Sequence, residues 1–202
     1  MSESKEFSDE FVDQLMAGNR HSFTELVDRT SGRIYNLGLR RLGNSQDAED
    51  MLQETYIKAF KALPAFEKRS TITTWLFRVA VNEALMLLRK RKNVVLVDDD
   101  AGKEEDYERE LDIVDWCCLP ENEFLSEETM VMLTEAAEKL SPALRMVFIL
   151  RDVQGFSTQE TAEILQINVD SVKTRLVRAR LKLREELSAY FRERMQGFKS
   201  NE

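Results

Sequence analysis

The side chains best equipped to meet another molecule gather in the last quarter of the chain. Between positions 168 and 184 six cations, Lys173, Arg175, Arg178, Arg180, Lys182 and Arg184, stand against one anion, Asp170. Lysine and arginine at that density suit a phosphate backbone or the guanine edges of a duplex. By contrast, the usual catalytic groups are sparse. There is 1 histidine, His21, and the 2 cysteines, Cys117 and Cys118, are adjacent. Any histidine-based triad or metal cluster has to run through that single imidazole, and two vicinal thiols make neither a disulfide framework nor a four-ligand zinc site. A metal-free enzyme using only carboxylates remains open, but the catalytic toolkit is thin, and no cofactor or metal is expected. His21 reads as a surface or helix-packing residue. The two cysteines read as reduced thiols, with oxidation sensing as the alternative.

Position alone gives the cations their meaning. The segment 157–178, STQETAEILQINVDSVKTRLVR, has helix–turn–helix spacing. Small Ala162 sits where two helices approach, and Leu165, Ile167 and Val172 supply a shared core. On the second helix Val172, Leu176, Ala179 and Leu183 share the inward face. Lys173, Thr174, Val177 and Arg178 then point outward, where threonine bonds phosphates or bases and valine meets a thymine methyl. Gln166 stands where such turns often hold glycine, and Asp170 or Ser171 is expected to cap the second helix. A wet amphipathic helix is the competing reading of this face.

The elements that must carry these residues are helical. Among 202 residues there are only 7 glycines and 3 prolines, too few punctuators for many short strands. Helical spacings predict elements over about 9–18, 21–42, 45–63 and 72–92, with Ser45 as a cap, Pro64 as a stop and Trp75 in the core. Helices resume over 127–140, 142–152, 157–166 and from about 170 to 195. The fold class is thus all-α: two small helical domains, over 1–93 and 123–202, joined by an acidic linker over 94–122. No run of apolar residues is long enough to span a membrane, and the first ten residues are polar and acidic, so a cytoplasmic location is expected.

The net charge of −8 hides a partition. Residues 1–93 carry 15 cations and 13 anions, 94–140 carry 3 and 16, and 141–202 carry 11 and 8. Acidity is confined to the middle and both flanks are mildly basic, and a polyanion responds to that local charge.

Three stretches together resemble a group IV, or extracytoplasmic-function (ECF), sigma factor of bacterial RNA polymerase. DAEDMLQETYIKAFKAL (47–63), after Gly43-Asn44, is similar to the family's region 2.2. FEKRSTITTWLFRVAVNEALMLLRKRK (66–92) is similar to regions 2.3 and 2.4, and LSPALRMVFILRDVQGFSTQETAEILQINVDSVKTRLVRARLKL (140–183) to region 4. The chain departs from the family at Gln166, Asn168 and Asp170, where glycine, proline and glycine are usual.

The resemblance implies a promoter-specificity subunit, not an enzyme. Asp47, Asp50, Gln53, Glu54 and Ile57 are expected to meet the β′ subunit of the core polymerase, with further contact to β. The loop after Phe66, with Lys68, Arg69, Ser70 and Thr71, would capture the melted −10 strand, and Arg78 and Asn82 would continue its track. Arg151, Ser171, Lys173, Thr174, Val177 and Arg178 would hold the −35 duplex. Promoter DNA and core polymerase are the implied partners, with an anti-sigma factor as regulator. A stand-alone helix–turn–helix regulator, or an interaction protein that never touches DNA, remains the alternative.

Overall fold

A computed structural model describes residues 7–91 and 135–199, with side chains for 7–90 and 135–188. The expected linker, the two cysteines and most of the expected helix at 127–140 lie outside the described residues. All regular structure among those residues is helical. The first part contains α1 (Asp9–Met16), α2 (Arg20–Leu42), α3 (Ser45–Ala62), a 3₁₀ turn (Leu63–Ala65) and α4 (Ile72–Arg91). After a helical turn at 135–138 come α5 (Pro142–Phe148), a π-helical turn (Ile149–Val153), α6 (Thr158–Leu165) and α7 (Val169–Lys199).

These helices form two compact bodies that do not follow chain order. The first combines 7–91 with 149–172, and the second combines 135–148 with 173–199. In the first body Leu26, Ile34, Leu37, Met51, Leu76 and Phe77 are fully enclosed. The close fit of α2 on α3 depends on Gly38. A Cβ there would lie 2.7 Å from Met51 Cε and 3.3 Å from the Ala48 Cα. Across the same interface Tyr56 Oη lies 2.6 Å from Thr30 Oγ1. Burial pushes the Tyr56 phenol above its ordinary value; the Thr30 hydrogen bond opposes this and the Asp28 charge adds to it. In the second body Leu140, Leu144 and Phe148 pack with Ala179 and Leu183.

Side-chain caps decide where the helices begin. Asn19 Oδ1 accepts from the His21 and Ser22 amides, and Asn44 Oδ1 accepts from Asp47 N at 2.8 Å. The cap of α3 is therefore Asn44, not Ser45, because the carboxamide reaches the third amide and Ser45 already has helical backbone. Ser157 opens α6 with a reciprocal capping box to Glu160. At α7 neither Asp170 nor Ser171 is the cap. Asn168 Oδ1 accepts from Ser171 N at 2.6 Å, so the helix starts at Val169 and Asp170 falls in its first turn. Between α6 and α7, Gln166 has φ 55°, the left-handed conformation for which glycine is better suited.

Candidate nucleic-acid interface

The basic helix face is built as its spacing requires. In the second body Leu176, Ala179 and Leu183 are buried, while Lys173, Thr174 and Val177 are exposed and Arg178 is half-buried. Val177 is 57% exposed, far more than an aliphatic side chain on a packed helix needs. With Lys173, Thr174, Arg178 and Leu181 it lines a shallow recess of about 370 Å³. Cationic edges around an apolar floor suit a groove that presents phosphates beside thymine methyls. Ser171 lies on the first turn of α7, where its amide is occupied by the Asn168 cap.

Arg151 belongs to a different environment. It lies in the π-helical turn of the first body, and its guanidinium donates to the Phe156 carbonyl. The side chain thus closes the turn before α6 on itself. The cause is local: Gly155 at φ 76° reverses the chain and brings that carbonyl back toward Arg151.

The loop at 66–74 is also in the first body. Lys68 takes a left-handed φ of 56°, and its ammonium pairs with Asp13 at 2.5 Å. Arg69 pairs with Glu67 at 2.7 Å. All four side chains are at least partly exposed, so water and salt screen these pairs and both cations can be recruited by another anion at little cost. Phe66 is different: its ring is buried, 5.3 Å from the ring of Trp75. In this arrangement it packs on Trp75 and supports the start of the loop. Trp75 is core, as its spacing predicts. Thr71 starts α4: its Oγ1 accepts from Thr74 N at 3.1 Å. Ser70 and Arg78 are half-buried and Asn82 is exposed.

On α3, Asp50, Gln53 and Glu54 are exposed and share a groove of about 300 Å³ with Lys58, Met86 and Lys90. Ile57, 47% exposed, supplies an apolar anchor on the same helix. Asp47 does not join this rim. It is only 8% exposed, and its carboxylate accepts from Asn44 Nδ2 at 2.6 Å. It completes the start of the helix. Lys58, which sequence reasoning passed over, pairs with the buried Glu83 at 2.6 Å and ties α3 to α4. Its signal was there: it follows Glu54 by four positions on the same helix face. Met86 and Lys90 likewise follow Asn82 at intervals of four.

Comparison with known families identifies the chain. The profile for sigma-70 region 2 matches residues 26–94, and that for sigma-70 region 4 matches 130–183. The chain is 34% identical over 176 residues to the ECF RNA polymerase sigma factor SigW of Bacillus subtilis, covering 87% of this chain and 94% of that protein. This chain belongs to the ECF sigma factor family. The sigma factor is also 34% identical over 179 residues to the ECF RNA polymerase sigma-E factor of Escherichia coli K12, covering 88% and 93% of the two chains. Among solved structures it resembles CnrH, determined with the cytosolic domain of CnrY, with a TM-score of 0.63 at 25% identity over 89% of this chain and 96% of that one. It also resembles the sigma factor RpoE of Bartonella quintana, determined with the anti-sigma factor NepR, with a TM-score of 0.60 at 25% identity over 82% and 96%. Sigma factors are DNA-binding transcription initiation factors and not enzymes. No helix among the described residues is long and apolar enough to cross a membrane.

Proposed function

We propose that this sigma factor binds core RNA polymerase through the α3 strip of Asp50, Gln53, Glu54 and Ile57. It reads −35 duplex with Lys173, Thr174, Val177 and Arg178, and captures the melted −10 strand on the loop bearing Lys68, Arg69 and Ser70. Arg78 and Asn82 continue that track. The division of labour is that of sigma region 2 over 1–93 and region 4 over 123–202, working in the cytoplasm. The observation that carries the reading is the exposed Val177 set among cations on a helix whose opposite face is fully buried. Two modest DNA contacts on one chain strengthen each other by raising effective concentration. An anti-sigma protein is the proposed regulator, supported by the likeness to sigma factors determined with such partners.

The test is run-off transcription on genomic fragments with purified core polymerase. Discrete start sites that require this chain are expected. Arg178→Ala is expected to weaken initiation by about tenfold or more, in line with ~1–3 kcal/mol for a good base contact. Lys173→Ala should weaken it more uniformly across promoters and lower its salt dependence. Tight binding to a palindromic duplex without polymerase, and no polymerase-dependent start sites, would favour a stand-alone regulator instead.

A further inference from the structure

The first body brings together two segments to which the preceding reading gives separate tasks. The corner at 154–160, which leads into α6, rests on α2 and α4. Arg33 Nε donates to Gln154 Oε1 at 3.0 Å, and Arg33 Nη2 donates to the Gln154 carbonyl at 3.2 Å. The same guanidinium lies 5.1 Å from the ring centre of Phe77 and 5.4 Å from that of Phe156. Those two buried rings meet edge to face at 4.7 Å. The corner is thus clamped by a cation that satisfies both oxygens of one glutamine and lies over two aromatic rings.

A separate polar chain ties the start of α6 to the strand-binding loop. Thr71 Oγ1 donates to Thr74 Oγ1 at 2.8 Å, and Thr74 Oγ1 donates to Glu160 Oε1 at 3.1 Å. The other carboxylate oxygen of Glu160 accepts from Ser157 N at 2.8 Å. Loop residues 68–73 line a cavity of about 600 Å³ together with Gln154, Phe156 and Glu160. A DNA strand laid on Lys68 and Arg69 would have to share that space with Glu160. Its phosphates would meet a carboxylate, and its bases would find the Thr71 and Thr74 hydroxyls already engaged.

We propose that the corner at 154–160 is an intramolecular occupant of the −10 loop, so that it and a single-stranded promoter element exclude each other. The inference rests on the reading of 66–74 as the strand-binding loop. Until the corner leaves, the free chain keeps its own melting site covered, and its apparent affinity for the strand is lowered by the fraction of molecules in the uncovered state. The occupant is held by one arginine clamp, one aromatic pair and one hydroxyl chain. Such a contact is small enough to exchange when a larger partner redirects the α6 segment.

One variant tests both directions. In a full-length background carrying Cys117→Ser and Cys118→Ser, Arg33→Cys and Gln154→Cys remove the clamp and place thiols at two half-buried, directly bonded positions. Far-UV circular dichroism checks that helix content matches the parent. A bismaleimide with a reducible disulfide spacer then links the pair, and reductant releases it. The probe is the fluorescein-labelled non-template strand of the fragment most strongly transcribed in the run-off assay, read by anisotropy. The unlinked variant is expected to bind it about threefold or more tighter than the parent, and the linked variant about tenfold or more weaker than the same protein after release. Failure to link, or equal binding by linked and released protein, overturns the docking while leaving strand capture by the loop intact. If the link forms in high yield but parent, unlinked and released proteins all fail to bind the strand, the strand-capture reading falls and the masking falls with it.

Discussion

Replacing Gly38 by alanine tests how tightly α3 is seated, and Gly32 on the same helix serves as its control. Both positions lie inside α2, where glycine costs roughly 0.5–1 kcal/mol relative to alanine, so propensity alone favours either substitution. Around Gly32 a new Cβ meets nothing within 4 Å, and Gly32→Ala is expected to stabilise by that amount. At Gly38 the Cβ would sit 2.7 Å from Met51 Cε, 3.2 Å from its sulfur and 3.3 Å from the Ala48 backbone. The methionine end is flexible, but Met51 is fully buried and has no solvent to turn into. Either the thioether shifts inside a closed core or α3 moves outward, at a cost of roughly 1–3 kcal/mol. The difference between the two variants cancels helix propensity and isolates that overpacking. Urea unfolding followed by far-UV circular dichroism measures it. Gly38→Ala should come out net destabilised by about 1 kcal/mol and Gly32→Ala stabilised, a gap worth about 2–4 °C in Tm per kcal/mol. Because α3 carries Asp50, Gln53, Glu54 and Ile57, Gly38→Ala should also weaken core polymerase binding at temperatures where it is still folded. Equal stabilisation by both alanines would refute the close approach of α2 and α3.

Three other expectations rest on local geometry. Asn168→Ala removes the α7 cap and should cost about 0.5–2 kcal/mol in unfolding free energy, whereas Gln166→Gly relieves a left-handed glutamine and should gain up to about 1 kcal/mol on the same urea assay. Lys58→Met strips the buried Glu83 carboxylate of its 2.6 Å partner and should destabilise by about 1–3 kcal/mol, with Glu83→Gln restoring most of the loss in the double variant. For Tyr56, burial raises the folded-state value above the ordinary phenol value of 10.0, so the unfolded chain ionises first. This contribution is fully present below pH 10 and is lost as pH rises through the folded value. Absorbance titration at the phenolate band should show one late-titrating phenol that Tyr56→Phe removes, and the same substitution should flatten the alkaline loss of stability.

The helices were legible because each has a buried stripe and a break residue. Gly43 and Pro64 mark ends that the structure keeps within a residue or two, and the inward set Leu176, Ala179 and Leu183 is buried as its spacing requires. Caps were less legible, because asparagine, aspartate and serine one to three positions apart are all good cap residues and only geometry shows which oxygen reaches an amide. Asn44 and Asn168 both won such contests. The local partners of Asp47, Arg151 and Phe66 were not legible either: an Asn44 side chain, the Phe156 carbonyl and the Trp75 ring. Contacts between Arg33 and Gln154, or Thr74 and Glu160, join residues far apart in sequence, and no local periodicity encodes them.

The two oxygens of the Glu160 carboxylate serve different masters, one fastening the first turn of its own helix and the other reaching across to a threonine. Breaking the outward link costs that helix nothing, since water can take the vacated oxygen while the inner bond persists. Detachment would therefore lift the segment away as a finished piece, already wound, instead of unravelling it. The speed of such a release is then set by parting two surfaces, not by remaking a fold.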